Sequence, residues 1–418
     1  MFFIYQILIL LIVLLSPIII IIRFTKNKEH KNRFVEKFCF FKKKRNKGNL
    51  IWIHAASVGE LMSIIPLIYE VEKNKNIKNI LVTTSTLSSL KIFNNYKFKK
   101  AIHQFFPIDF FYFTSKFIKY WKPNIAIFID SEIWPCMFKE LKTNSIPLLL
   151  MNARITNKSF KRWNFFNKFS KNIFHNIDAA FPQNLETEKF LKKLDVKKVN
   201  KIGNLKFCET KKQKKINLER KFLSSINKRL IFCASSTHPG EENEIAQTYI
   251  SLKKKHKNLL TIIIPRHVER VKEIYKELES LNLKTIIRTS NKKIDSNTDV
   301  YLVDTYGETK KFFSISKIAF IGGSIINHGG QNPIEPARYG LNILHGPNIQ
   351  NFKDIYQFFN KSKIAHKFTN LKQLISISDK LLMRKKNKKI NLIKIGNSIL
   401  KKNVNEITKT FNNELKKT

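Results

Sequence analysis

The sequence predicts an α/β protein: two Rossmann-like domains facing a cleft, preceded by a membrane-anchor helix. Three observations carry this. Between residues 50 and 204, short apolar runs alternate with stretches of helical periodicity, the pattern of βαβ units and a parallel sheet. A second alternating series begins near residue 230. Residues 2–22 hold no charged side chain.

The elements follow in order. Residues 2–22, "FFIYQILILLIVLLSPIIIII", reach about 30 Å as a helix, the hydrocarbon thickness of a bilayer. No basic stretch precedes the run and no small-residue cleavage site follows it, so an anchor (residues 1–23) fits better than a cleaved signal. Arg23, Lys26, Lys28, Lys31 and Arg33 come next. The positive-inside rule puts that flank, and the body of the protein, in the cytoplasm, with the anchor in the inner membrane. Pro17 leaves open a full span or a shallow anchor. Residues 24–49 are basic with Phe34, Phe38, Phe40 and Phe41 interleaved, as suits a segment lying on an anionic leaflet. The first domain, 50–206, has strand candidates at 50–54, 79–84, 125–130 and 147–151. Residues 207–228 are polar and basic and read as a linker. The second domain, 229–418, has strand candidates at 230–235, 259–264, 283–288, 299–303 and 318–323. From about 366 the chain reads as helices.

The 418 residues are 43% hydrophobic, enough for two cores. The net charge is +46, which fits nucleic acid, an anionic membrane surface or an anionic substrate. Lys, Asn, Ile and Phe are abundant together, as AT-rich codon usage produces, so only localised charge carries functional weight. The charge is spread rather than striped, and no nucleic-acid-binding motif accompanies it. The four cysteines form no CxxC pair, which excludes a zinc ribbon or a dithiol motif. No GxGxxG, Walker loop, GxSxG elbow, DxD or HxxxH occurs. No metal site and no resident cofactor are expected.

The polar motifs lie just after predicted strands, where ligands of such sheets bind. In "IWIHAASVGELMSIIPLIYE", Glu60 stands at a strand-to-helix handover beside Gly59. It is either a dipole-matched helix start or a general base. In "IFIDSEIWP", Asp130 and Glu132 could join Glu60 as paired carboxylates, or Asp130 or Ser131 could cap the helix containing Pro135. Lys206 of "GNLK" sits at the domain junction. "SSTHPGEE" reads as a phosphate cradle or as a capping box. In "IPRHVER", Arg266 after Pro265 suits phosphate. In "DTYGE", Tyr306, Gly307 and Glu308 bare the backbone at a helix start. In "GGSIINHGGQNPIEPA", glycines permit close approach of a phosphate or sugar. Asn332 can cap a helix with Pro333 at its first position, followed by Ile334 and Glu335.

Together, "HAASVGE", "SEIWP", "NARIT", "GNLKF", "SSTHPGEE", "PRHVER", "DTYGE" and "GGSIINHGGQNPIEPA" resemble, in order and spacing, the 3-deoxy-D-manno-oct-2-ulosonic acid (Kdo) transferases of lipopolysaccharide biosynthesis. The resemblance covers nearly the whole chain. It implies a GT-B glycosyltransferase that moves Kdo from CMP-Kdo to a lipid A precursor, lipid IVA, with inversion and without a metal. It implies Glu60 as general base and Asp130 and Lys206 as stabilisers of the transition state. It implies CMP contacts at Pro265, Arg266, Tyr306, Gly307, Glu308, Asn332, Pro333, Ile334 and Glu335. The family usually has Glu where this chain has Asp130; either the backbone compensates, or the role is weakened, or Glu132 shares it. Two other readings compete: a GT-B lipid glycosyltransferase using a UDP- or GDP-sugar, and a membrane-tethered nucleic-acid binder.

Overall fold

A computed structural model describes residues 1–208, 218–227, 229–290, 292–384 and 391–417. It divides into two compact units, residues 1–212 with 393–418, and residues 213–392.

The first unit holds a six-stranded parallel sheet: β1 (Leu50–His54), β2 (Asn79–Thr84), β3 (Ala101–Phe105), β4 (Ile125–Ile129), β5 (Leu148–Ala153) and β6 (Ala179–Pro182), in the order β3-β2-β1-β4-β5-β6. Helices cover both faces, so the strands are apolar throughout rather than alternating. Every residue of β1 and β4 is buried. Trp52 packs its ring against Phe106, Phe117 and Phe128 in the core. The chain runs outward one way from β1 to β3, then the other way from β4 to β6. The reversal lies between β1 and β4, and crevices at such reversals bind ligands.

The second unit holds seven parallel strands: β7 (Leu230–Thr237), β8 (Leu259–Pro265), β9 (Thr285–Ile287), β10 (Val300–Leu302), β11 (Ile318–Ile321), β12 (Asn342–His345) and β13 (Ala365–Lys367), in the order β13-β12-β11-β7-β8-β10-β9. Here the reversal lies between β7 and β11. The apolar runs of the sequence predict no strand at β3, β6, β12 or β13. β3 carries His103 and Gln104, β6 and β13 are only four and three residues long, and β12 is bounded by Asn342 and His345. β13 also starts where helices alone are expected.

Residues Phe2–Thr25 form one apolar helix long enough to cross a membrane. Its ends are tied to the first unit. Tyr5 donates to Asp109 Oδ2 at 2.7 Å and the Lys139 ammonium lies 4.5 Å from the Phe2 ring. Arg23 pairs at 2.8 Å with Glu29, a buried carboxylate that also holds Lys37 at 2.6 Å.

Two boundaries differ from those the sequence predicts. Residues 24–49 pack on the first unit instead of forming a separate membrane-proximal segment. Phe41 stacks on Tyr120 at 4.1 Å, Phe38 meets Phe113 edge-on, and Phe34 meets Phe24. Of the four phenylalanines only Phe40 is exposed. Likewise, the last helix, Leu392–Leu415, belongs from residue 393 with the first unit rather than the second. Gly396 allows this: a Cβ there would stand 2.4 Å from the Phe207 carbonyl. Cys208 also donates to the Gly396 carbonyl, and Lys198 pairs with Glu406 at 3.1 Å. Of the expected linker 207–228, residues 209–217 and 228 lie outside the described residues, and Arg220–Ser225 is a short helix.

Candidate active site

In the first unit the chain leaves β1 at His54 and enters the helix Val58–Val71. Ser57 caps that helix and accepts from the Glu60 N–H. Glu60 reaches back: Oε1 accepts from Ser57 Oγ at 2.7 Å and Oε2 from the Ala56 N–H at 2.8 Å. This is a reciprocal capping box, so the helix-start reading of Glu60 describes its geometry. It does not describe its charge. Burial, then the Glu132 and Asp130 carboxylates, push Glu60 up to about 7. A cap selected for stability alone would sit where ionisation is easy. Beside it, a Cβ added at Gly59 would meet nothing within 4 Å.

Glu132 is held by aromatic neighbours. Trp134 Nε1 donates to its Oε2 at 3.0 Å, and His54 Nε2 lies 3.4 Å from the same oxygen. His54 is fully buried, which pulls its pKa down and keeps the ring neutral. On its other side His54 Nδ1 lies 2.9 Å from Thr83 Oγ1, which also accepts from Trp52 Nε1 at 2.9 Å.

Asp130 follows β4 with φ +62°. It does not cap the next helix, and neither does Ser131. The helix Pro135–Thr143 is capped from afar by Asp109, which accepts the N–H groups of Cys136 at 3.0 Å and Met137 at 2.8 Å. Asp130 donates its N–H to the Met151 carbonyl and accepts from the Arg154 N–H. Burial raises its pKa, while Lys206 and Arg154 pull it back. Lys206 is placed through β5. That strand slips register at Asn152, which has φ +51° and accepts from the Leu205 N–H at 2.9 Å. Asn204 then accepts from the Lys206 N–H at 2.9 Å. Burial pulls the Lys206 ammonium down, and Asp130 and Glu60 oppose that. Glu60, Asp130 and Lys206 thus gather at the reversal of the first sheet, joined by Glu132, Arg154 and His54. Arg154 is a member that sequence reasoning misses; its place just after a buried strand is the signal that could find it.

In the second unit, β11, β7, β8 and β10 are neighbours and release the glycine-rich run, "THPGEE", "PRH" and "DTYGE" at one edge. Arg266 is exposed, and its N–H extends the ladder to the Thr237 carbonyl. Tyr306 donates to Glu269 at 3.0 Å, so the "DTYGE" loop touches "PRHVER". Gly307 has φ +82°. Glu308 is already engaged by Thr305, by Lys311 at 2.7 Å and by Arg288 at 3.4 Å. Glu335 is half-exposed and 3.5 Å from Lys310. Pro333 is the cap residue and the helix is Ile334–Arg338, one residue later than expected; Asn332 Oδ1 accepts from the Ile334 N–H. One expectation changes. The N–H groups of Gly323, Ser324 and Ile325 do not face a ligand. They donate to the buried carboxylate of Glu241, as does that of His238.

Among the described residues no three His, Cys, Asp or Glu side chains gather to hold a metal ion. A cavity of about 720 Å³ in the first unit, lined by Lys142, Ser145, Asp178 and Thr410, lies away from these carboxylates, by the starts of β5 and β6.

The family described as 3-deoxy-D-manno-octulosonic-acid transferase matches residues 32–209. A 3-deoxy-D-manno-octulosonic acid transferase of Rickettsia felis is 38% identical over 330 residues, 78% of this chain and 70% of that protein. One of Rickettsia bellii is 35% identical over 374 residues, 88% of each. Among solved structures, the UDP-GlcNAc 2-epimerase of Neisseria meningitidis aligns with 87% of this chain and 99% of its own, at 13% identity and a TM-score of 0.57, a likeness of fold alone.

Proposed function

Because the chain belongs to the 3-deoxy-D-manno-octulosonic acid (Kdo) transferases, glycosyltransferases of GT-B-like architecture, we propose that it transfers Kdo from CMP-Kdo to a lipid A precursor with Glu60 as general base. One observation carries the reading: at the reversal of the first sheet stands a carboxylate pushed to about 7 by burial and by two neighbouring acids. An acceptor hydroxyl is a poor nucleophile near neutral pH. Glu60 takes its proton as the oxygen attacks the anomeric carbon of Kdo, and CMP departs with the bonding electron pair. Attack opposite the leaving group inverts the anomeric centre. A base whose pKa matches the working pH contributes ~10²–10⁴-fold. Lys206 and Arg154 hold Asp130 beside this chemistry as fixed charges that need no reorganisation. On the second unit, Pro265, Arg266, the 306–308 turn and Asn332 to Glu335 take the nucleotide. Fixed cations and donors meet the developing negative charge, so no metal is required.

The helix Phe2–Thr25 anchors the enzyme to the inner membrane, with the two units cytoplasmic. Both its ends are tied to the first unit, while the apolar stretch between them is left exposed, as a lipid-facing anchor requires. Deleting residues 2–22 should leave a folded, soluble protein that binds CMP and works poorly on membrane-embedded acceptor.

The test is incubation with CMP-Kdo and a tetraacylated lipid A precursor in EDTA, followed by mass spectrometry. A product heavier by Kdo is expected. No product, or product only with a UDP- or GDP-sugar, refutes the donor; product only with added divalent ions refutes metal independence.

A further inference from the structure

The reversal of the second sheet, between β7 and β11, holds a histidine cluster to which the reading above gives no part. His238 follows β7 directly and is only 5% exposed. Its ring lies 4.3 Å from that of His328 and 6.3 Å from that of His267, centroid to centroid. His328 and His267 are exposed, as is Arg266. A buried imidazole thus lies among three exposed basic side chains.

The backbone is shaped to hold it there. β7 slips register between Ser235 and Thr237, and the extra residue, Ser236, has φ +57°. Bulges of this kind re-aim side chains beside functional sites. The Ser236 carbonyl lies 3.1 Å from His238 Nδ1. A carbonyl only accepts, so Nδ1 carries the hydrogen and Nε2 is the basic nitrogen. That Nε2 is buried and has no partner among the described residues; nor does the Thr237 hydroxyl beside it. Buried polar atoms are rarely left so, and an orphan at a sheet reversal asks for a ligand. Two glycines make the room. A Cβ at Gly322 would stand 2.1 Å from the Ser236 carbonyl oxygen, and one at Gly323 would stand 3.1 Å from the His328 ring and 3.4 Å from that of His238.

The charges around the ring all point one way but one. Burial first, then His328 from the β11 side and His267 and Arg266 from β8, push His238 down to about 4. Glu241, from the helix after the turn, lies 3.8 Å from Nδ1. Its oxygens are occupied by four backbone N–H groups, and burial raises its own pKa. These surroundings disfavour a cation at His238. An anion between the rings would reverse that preference.

We propose that His238, His328, His267 and Arg266 form an anion subsite for the phosphate of the nucleotide donor, and that His238 meets it as a cation by taking a proton on Nε2. The subsite rests on the donor reading given above. Its ligand class is a phosphate ester. The proton comes from solvent on binding and returns on release, so the reaction as a whole consumes none.

The test is calorimetry of CMP and of cytidine binding to the full chain near pH 7.5, where CMP is mostly dianionic, in two buffers of different ionisation enthalpy. Net proton uptake is expected with CMP and none with cytidine. His238→Gln, and separately the exposed His328→Gln, should weaken CMP by roughly tenfold or more, the size of one charge-assisted hydrogen bond, and leave cytidine within about twofold. His238→Gln should also abolish the uptake. CMP binding with no proton uptake, unchanged in both variants, overturns the subsite while the donor reading stands. Absence of CMP binding by the wild-type chain overturns the donor reading and the subsite with it.

Discussion

Replacing Glu60 with Gln should make the protein more stable above neutral pH while nearly silencing it. Gln keeps the capping box: its carbonyl oxygen can accept the Ala56 N–H, now bonded at 2.8 Å, and its amide can donate to Ser57 Oγ, now at 2.7 Å. What it removes is a carboxylate whose pKa rises on folding from 4.5 to about 7. A raised acid pKa means that the folded state holds the proton more tightly. That contribution is fully present below the unfolded value and is lost as pH rises through about 7. At 1.36 kcal/mol per unit, ionising Glu60 in the folded state costs at most roughly 3 kcal/mol, less in a half-buried site. Glu60→Gln should therefore match the wild type near pH 4 and exceed it at pH 8 by ~1–3 kcal/mol, read by urea unfolding at the two pH values. Turnover should fall ~10²-fold or more with KM nearly unchanged, because only the proton acceptor is lost. The wild-type rate should rise with pH through about 7, and the variant should lack that limb. A variant that turns over at near wild-type rate, or is equally destabilised at both pH values, would refute the reasoning.

Further outcomes follow from the same geometry. Glu132→Gln removes the neighbouring acid that raises Glu60 most, so the acid limb of kcat/KM should move down by up to about 1 pH unit; an unmoved limb would leave burial and Asp130 as the causes. Asp109→Ala strips the cap from Pro135–Thr143 and leaves two buried N–H groups open; it should cost ~2 kcal/mol or more in denaturant unfolding. Arg266→Ala should weaken CMP binding by ~1.5–3 kcal/mol by calorimetry, and unchanged affinity would remove it from the site. Gly59→Ala meets no neighbour, so it should stabilise the helix by up to ~1 kcal/mol; a raised KM for the lipid acceptor would show that the empty space is used.

What the sequence makes legible is local. Strands β1, β4, β7, β8 and β11 are continuous apolar runs buried on both faces, and such runs announce themselves. The residues ending them stand next in the chain, so Glu60, Asp130 and Arg266 can be picked out as strand-end groups from the sequence alone. What stays hidden depends on partners distant in sequence. Asp109 caps a helix that starts 26 residues later, and nothing nearby marks it. β3 reads as polar because of His103 and Gln104, yet it is buried: His103 Nε2 meets Thr84 at 2.8 Å and the Arg33 guanidinium lies on its other side. The last helix looks like the end of the second unit until Gly396 and Gly203 are seen to be places where it presses on the first; a Cβ at Gly203 would stand 2.9 Å from Ile399. The glycine-rich run is legible as a site but not in its detail. Its N–H groups serve Glu241, and the anion-facing work falls to histidines whose meaning comes only from the neighbours β7 and β11.

The shorter acid at Asp130 is understood by comparing it with Glu60. The chain leaves β4 in the left-handed region, where Asp is among the least strained non-glycine residues because its short side chain can bond locally. Both its backbone groups are held, by Met151 of β5 and by Arg154 just after that strand. The two acids then diverge by company. Both are desolvated, and desolvation alone would leave two weak acids of similar kind. Asp130 has two cations beside it, Lys206 and Arg154, which favour its charge. Glu60 has two carboxylates beside it, Glu132 and Asp130, which oppose its own. Burial leaves both pKa values raised, but the cations beside Asp130 offset part of that rise while the acids beside Glu60 add to it. Glu60 can give up and take a proton near neutral pH, which is the work of a base. In the proposed mechanism Asp130, with two cations beside it, keeps Lys206 at the reversal of the sheet while that proton moves.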